Sequence, residues 1–287
     1  MYITNENNAL PPIYTVPFRY PLDIRSGEDD EEFVTHYLWA ILDKSLSMKN
    51  KEDDIYQEVT RILAGLAEAN QGSPDTRIRV KIALFNHEIS NFNDVHLDPQ
   101  QLLNTFGRED YRCSGTTSAG AVSRYIDKEL SRTSPVVRSL KKNSPGFTFV
   151  LLTDGQVNDP VSLREDARKI LESNRFYRDY SRVLVVYLGR EEDKATAVAM
   201  ANGEEQNVVA LGNDLTSMLS PLIIQSTVTF ADGTHMSNCD STQSFADMAD
   251  SAKKRAQEGT TSADNLADQD LRNKLLQLMG KKGGAQA

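Results

Sequence analysis

The segment YLWAILDKSLSM, residues Tyr37–Met48, places an apolar run directly before a cluster of oxygen-bearing side chains. Short continuous apolar runs of this kind are typical of buried strands in parallel sheets. The run ends at Asp43, and Ser45 and Ser47 follow at alternate positions. If the backbone stays extended, these three side chains point the same way, and their oxygens favour a hard cation such as Mg²⁺, Ca²⁺ or Mn²⁺. A pattern this short also arises by chance, and a simple turn at the end of a strand is the alternative interpretation.

Apolar patterns further along the chain alternate between strand and helix. Strands are predicted over residues 77–86, 146–154, 181–189 and 207–211. Helices are predicted over residues 52–69, 118–130, 162–173, 191–201 and 215–225. This alternation predicts an α/β fold, in which a doubly wound, mostly parallel central sheet carries helices on both faces. Ligand sites in such sheets form beyond the carboxyl ends of the strands, where Asp43 and Asp154 are both expected.

The two ends of the chain differ in composition from this central part. Residues 1–35 carry several prolines and the acidic run GEDDEEF, which predicts an extended acidic arm. The α/β domain is predicted over 36–228. Residues 229–287 predict a polar, flexible tail with a short amphipathic helix near 268–279. That helix could dock a partner or fold back on its own domain.

Composition excludes several classes of partner. The 287-residue chain has a net charge of −9, so it lacks the basic surface that binding to nucleic acid requires. The first thirty residues hold no apolar signal-peptide core, and no run approaches the roughly 18 apolar residues of a membrane span. Its two cysteines give neither a disulfide framework nor a metal-spaced pair. We therefore expect a soluble, cytoplasmic protein with no nucleic-acid or membrane partner.

With these elements in place, the stretch from about Tyr37 to Gln225 resembles the von Willebrand factor A family. Its metal-ion-dependent adhesion site is built from three loops, and each has a counterpart here in DKSLS, CSGTTSAGAV and LLTDG. The resemblance implies that five residues bind the metal: Asp43, Ser45, Ser47, Thr116 and Asp154. Thr116 is preferred in the second loop because Ala121 and Val122 then match the helix that follows in the family, and Thr117 is the alternative. Leu46 departs from the family pattern, which commonly has glycine between the two serines.

The resemblance also implies a function. It implies a non-enzymatic module that binds Mg²⁺, or Mn²⁺ or Ca²⁺, and captures an Asp or Glu side chain of a partner protein through this metal. The intracellular form looks most like bacterial tellurite-resistance-associated proteins. Those proteins resemble adaptors in stress or defence systems. The resemblance therefore implies a kinase, a phosphatase or an AAA+ ATPase as the partner of this chain.

One enzymatic alternative also uses an aspartate at the end of a first strand. Phosphotransferases of the haloacid dehalogenase type attack phosphate with such a residue, which would be Asp43. They need a second acid two positions later, where this chain has Ser45. No nucleophile elbow and no phosphate-binding loop occurs in the sequence.

Overall fold

The computed structural model describes residues 34–73, 76–139, 146–156, 181–189, 194–201, 203–211 and 215–235. Three sequence-based predictions lie outside these ranges. They are the N-terminal arm except for its last two residues, the helix at 162–173, and the tail helix near 268–279.

Six strands form one sheet in the order β3-β2-β1-β4-β5-β6. They are β1 (Val34–Asp43), β2 (Thr76–Phe85), β3 (Ile89–Asn91), β4 (Gly146–Thr153), β5 (Ser181–Tyr187) and β6 (Val208–Ala210). All neighbouring pairs are parallel except β2 with β3, which is antiparallel. The chain winds outward from β1 in one direction and from β4 in the other, so the switch point of the sheet lies between these two strands. The predicted mostly parallel sheet is confirmed.

Five α-helices accompany these strands in the described part of the chain. They are α1 (Glu52–Gly72), α2 (Pro99–Thr105), α3 (Ala119–Ser139), α4 (Lys194–Met200) and α5 (Leu215–His235). Helix α1 begins with three acidic residues, which suit the positive end of the helix dipole. Helix α2 begins at Pro99, and the Asp98 side chain caps it by accepting a hydrogen bond from Gln100 N.

Alternate strand residues build two separate cores. On one face the sheet packs against α1, α2 and α5 through aliphatic side chains, among them Leu38, Leu42, Val80, Ile82, Val150, Leu152, Leu184 and Val186. On the other face it packs against α3 and α4 through larger side chains, among them Tyr37, Trp39, Phe85, Phe147, Phe149 and Tyr187. Helices therefore cover both faces, as the sequence predicts.

Buried polar groups connect the helices on each face. Glu58 of α1 accepts hydrogen bonds from the backbone and the hydroxyl of Ser220 on α5, which fixes these two helices against each other. On the opposite face, Lys81 of β2 forms a buried ion pair with Glu129 of α3 at 3.0 Å. Trp39 Nε1 donates to the same Glu129 carboxylate at 3.1 Å.

His96 lies beside this ion pair without hydrogen bonds of its own. Its buried ring contacts the rings of Tyr37 and Trp39 edge-on, with centroid separations of 5.1 and 4.3 Å. Both ring nitrogens of His96 are without a hydrogen-bond partner in the described structure. Burial holds the pKa of His96 well below its ordinary value, and the charge of Lys81 adds to the effect.

The structure adds three features to the predicted elements. Strand β3 and helix α2 are short elements that were not predicted, and helix α5 continues to His235. The predicted domain boundary at residue 228 therefore falls inside a helix. None of the described helices has both the length and the apolar character needed to cross a lipid bilayer.

Candidate metal site

The carboxyl ends of β1 and β4 place two aspartates next to each other at the switch point of the sheet. Strands β1 and β4 pair in parallel up to Leu42 and Leu152, so Asp43 and Thr153 are adjacent. The Thr153 hydroxyl donates to Asp43 Oδ2 at 2.7 Å, and Asp154 follows directly. This is the edge at which the sequence places the ligand site.

Asp43 holds its carboxylate in the interior of the protein. The side chain is fully buried, and Oδ1 accepts a hydrogen bond from Ser45 N at 2.9 Å. Burial raises the pKa of Asp43 to about 6; the hydrogen bonds from Ser45 and Thr153 oppose this shift, and the charge of Asp154 adds to it. Two carboxylates thus lie close together in a place where their charges are poorly solvated.

The first loop departs from the extended backbone that the sequence predicts. Ser45 is extended, but Leu46–Lys51 forms a 3-10 helix, so the predicted alternation beyond Ser45 is wrong. The reason is local, because the Asp43 carboxylate captures Ser45 N and turns the chain. Even so, the Oγ atoms of Ser45 and Ser47 lie 3.0 Å apart, and Ser45 is buried while Ser47 is exposed.

The second loop is joined to the first by backbone hydrogen bonds. Ser114 N donates to Lys44 O at 2.7 Å, and Leu46 N donates to Gly115 O at 3.0 Å. Thr116 is exposed, whereas its neighbour Thr117 is only 2% exposed. The structure thus places the second loop beside the first and distinguishes the two candidate threonines by burial.

The third loop turns tightly after β4. Asp154 is buried, and its Oδ1 accepts a hydrogen bond from Gln156 N at 3.1 Å. Gly155 N donates to the Thr153 hydroxyl at 3.1 Å. Thr153 therefore connects the turn to Asp43, and this role was not predicted from the sequence.

Two further residues support the site and were not predicted. The buried Tyr111 hydroxyl donates to Asp43 O at 2.6 Å and so holds the end of β1. Glu52, at the start of α1, accepts hydrogen bonds from Lys49 at 2.7 Å, from Arg108 at 2.5 Å and from Cys113 N at 2.8 Å. These contacts hold the pKa of Glu52 well below its usual range, against the opposing effect of burial. The acidic first turn of α1 is a signal for Glu52, but nothing in the sequence marks Tyr111.

The chemistry of this arrangement suits a hard divalent cation. In the described part of the chain, neither Asp43 nor Asp154 forms an ion pair with a lysine or arginine. The described residues also contain no group of three or more His, Cys, Asp or Glu side chains that could hold a metal ion. The ligands of a metal ion at this site would therefore be hydroxyl oxygens together with the two carboxylates. Mg²⁺, Mn²⁺ and Ca²⁺ bind such oxygen ligands.

The described residues therefore form a doubly wound α/β fold with two aspartates beside the switch point of its sheet. No protein-family model matches the sequence, and no curated protein matches it either. Among solved structures, the pilus adhesin SpaC from Lactobacillus rhamnosus GG is similar with a TM-score of 0.50 and 12% identity, over 70% of this chain and 30% of the adhesin.

Two other solved structures are similar with lower scores. BatB from Bacteroides thetaiotaomicron has a TM-score of 0.46 and 14% identity, over 69% of this chain and 99% of BatB. Proximal thread matrix protein 1 from the mussel byssus, with a zinc-occupied MIDAS motif, has a TM-score of 0.49 and 14% identity, over 68% of this chain and 48% of that one. At 12% identity, the likeness to SpaC is one of fold.

Proposed function

We propose that this chain is a non-enzymatic protein-binding module that captures a carboxylate of a partner protein through a divalent metal. The metal ligands would be Asp43, Ser45, Ser47 and Asp154, with Thr116 or Thr117. One observation carries the proposal: two buried aspartates from adjacent central strands are brought together by Thr153 with no cation paired to them in the described structure.

The residues of the chain define what such a site can bind. Two carboxylates would balance the charge of Mg²⁺, Mn²⁺ or Ca²⁺, and the neutral hydroxyls would complete part of its coordination shell. A bound cation would supply an open coordination position for an incoming anionic oxygen. An Asp or Glu side chain of a partner provides this oxygen, and Ser47 is the exposed one of the two serines.

The choice between the two threonines can be tested directly. The burial of Thr117 resembles that of both aspartates, which supports Thr117 as the ligand over the exposed Thr116. Thr116→Val and Thr117→Val remove one hydroxyl each with little change in size. The variant that loses Mn²⁺ affinity, measured by isothermal titration calorimetry, identifies the ligand.

The metal and the partner are tested in one set of experiments. The unmodified chain and Asp43→Ala are titrated with Mg²⁺ and Mn²⁺, and Asp94→Ala, which changes an exposed loop aspartate, is the matched control. Partner proteins are then recovered by affinity purification in Mg²⁺ and in EDTA. We expect metal-dependent recovery with the unmodified chain and the control only. Equal partner affinity under all conditions would eliminate the proposal.

We further propose a cellular setting on the sequence resemblance alone. The chain would be a cytoplasmic bacterial adaptor of the tellurite-resistance-associated type, in a stress or defence system linked to a kinase and phosphatase or to an AAA+ ATPase. Deleting residues 265–287 separates binding through the tail from binding through the metal. Loss of the partner on deletion would assign the docking role to the tail.

A further inference from the structure

We infer that Leu46 is a specificity-determining contact, which selects partner segments with an apolar side chain within two positions of the captured Asp or Glu. The inference rests on the proposed function and deepens it. Leu46 is 63% exposed, and no other large hydrophobic side chain is exposed in the described part of the chain. It lies between Ser45 and Ser47, so it is at the rim of the site itself.

The backbone of Leu46 is fixed on both sides. Its N–H donates to Gly115 O at 3.0 Å, and the preceding Ser45 N is held by Asp43 Oδ1 at 2.9 Å. Two residues further on, Met48 is fully buried and anchors the start of the 3-10 helix. Leu46 is therefore presented to solvent from a rigid position, which lowers the entropy lost when a ligand covers it.

The surroundings of Leu46 leave room for a partner side chain. The hydrogen bond to Gly115 places Leu46 beside the exposed small residues Ser114, Gly115 and Thr116 of the second loop. Leu46 thus lies beside small exposed residues of the second loop and next in sequence to Ser45 and Ser47. A partner segment whose carboxylate reaches the metal would lie close to these residues.

The spacing in the partner follows from the dimensions of the chain. Consecutive Cα atoms are about 3.8 Å apart, so Leu46 lies about one residue away from each of the two serine ligands. An extended partner segment has the same spacing. Alternate side chains of an extended segment point the same way, so a side chain two positions from the carboxylate can contact Leu46 while the carboxylate is at the metal.

Two peptides test this inference on the full chain loaded with Mn²⁺. One is acetyl-Leu-Gly-Asp-Gly-Leu-amide, and the other is acetyl-Gly-Gly-Asp-Gly-Gly-amide. Binding is measured by the Mn²⁺-dependent broadening of the aspartate proton signals of the peptide in NMR spectra. We expect the leucine peptide to bind about fivefold more tightly than the glycine peptide, as partial coverage of one leucine predicts.

Variants at position 46 then show whether Leu46 causes the preference for the leucine peptide. Leu46→Ser should bind Mn²⁺ as the unmodified protein does but should bind the two peptides equally. Leu46→Phe should restore the preference for the leucine peptide. Sedimentation of both variants and the unmodified protein shows whether a second copy of the chain covers Leu46 instead.

The outcomes separate this inference from the proposed function. Equal Mn²⁺-dependent binding of both peptides to the unmodified protein would overturn the role of Leu46 and leave metal-mediated capture intact. Absence of any Mn²⁺-dependent binding would overturn both. A dimer of the unmodified protein that dissociates in Leu46→Ser would show that another copy covers the residue, which also overturns the inference.

Discussion

At the scale of single residues, the carboxylate of Asp43 lies where a charge is costly. It is buried, the charge of Asp154 acts on it, and no lysine or arginine of the described structure forms an ion pair with it. Hydrogen bonds from Ser45 and Thr153 recover only part of this cost. A folded protein retains such an arrangement at the expense of its stability, which is common where a residue is needed for binding.

Asp43→Asn removes the buried charge with little change in size. The pKa of Asp43 is raised in the folded state. The favourable contribution of Asp43 to stability is therefore present below about pH 3.8 and is lost as the pH rises through about 6. At pH 7.5 in EDTA we expect the free energy of unfolding of Asp43→Asn to exceed that of the unmodified protein by about 1–2 kcal/mol, after allowing for a weaker hydrogen bond to Thr153. Urea denaturation measures this difference.

The same variant should lose the response to metal. Saturating Mg²⁺ should stabilise the unmodified protein, because a ligand that binds only the folded state shifts the equilibrium towards it, and should leave Asp43→Asn unchanged. Asp94→Asn, which alters an exposed aspartate, should behave like the unmodified protein in both conditions. A less stable Asp43→Asn in EDTA would contradict this explanation.

At the scale of elements, the long strands and helices could be predicted from the sequence, but the short ones could not. Strands β1 and β4 are continuous apolar runs, and α1 has apolar residues at helical spacing, so their patterns are clear. Strand β3 has three residues and α2 has seven, which is too few for a period to show. These elements are defined by their contacts with the rest of the sheet.

The candidate site, like the fold, could be predicted only in part. Asp43 and Asp154 end strands that the sequence marks clearly, so their convergence could be predicted from topology. The 3-10 helix after Ser45 could not, because it depends on a side-chain hydrogen bond. Glu52 and Tyr111 act through partners about 60 residues away along the chain, and no local pattern records such contacts.

The second loop depends on the backbone of Gly115, which has a φ of 77°. A Cβ there would be strained, and it would lie 3.2 Å from Asn86 Nδ2 and from His87 Nδ1. We expect Gly115→Ala to lower the free energy of unfolding by about 2 kcal/mol and to weaken Mn²⁺ binding.

Gly203→Ala is a matched control for this prediction. Gly203 has a φ of 82°, but a Cβ there would meet no atom within 4 Å. The free energy of unfolding that Gly203→Ala loses in urea denaturation therefore reports backbone strain alone, and we expect a loss of about 1 kcal/mol. We expect no change in its Mn²⁺ affinity, measured by calorimetry. Equal Mn²⁺ affinities of the two variants would show that the second loop does not shape the site.

Glu52 joins the start of α1 to the segment that leads into the second loop. Glu52→Ala leaves Arg108 and the buried N–H of Cys113 without their acceptor. Loss of one partner from a buried charged network costs about 3 kcal/mol, and we expect that loss in urea denaturation. Glu109→Ala removes a carboxylate that is 82% exposed and pairs with Arg112, and it should cost less than about 0.5 kcal/mol. Similar losses for both variants would contradict the role of Glu52.

At the scale of the whole molecule, buried histidines make the fold sensitive to acid. Burial lowers the pKa of His36 to about 3, with a further contribution from Arg182, and the pKa of His96 is also well below its ordinary value. A histidine whose pKa is lowered on folding stabilises the fold fully only above about pH 6.5, and that stability is lost as the pH falls towards the folded pKa. Each such residue contributes a loss of about 1.4 kcal/mol per pH unit in that range.

His96→Phe should reduce this sensitivity. It keeps the aromatic contacts with Tyr37 and Trp39 and removes two unpaired buried nitrogens. We expect a gain in the free energy of unfolding of about 1 kcal/mol at pH 7 and a larger gain at pH 5, measured by urea denaturation. His87→Phe changes a side chain that is 62% exposed and should leave the pH dependence unaltered. A pH-independent effect of His96→Phe would show that His96 does not titrate on unfolding.

The sheet tapers from ten-residue strands at its centre to three-residue strands, β3 and β6, at its two margins. Peptide groups along a free margin can recruit a strand from another molecule, which is how many β-rich proteins aggregate. Margins this short offer a foreign strand few backbone hydrogen bonds. The edges of the described sheet therefore give another molecule little opportunity to pair with it through its backbone.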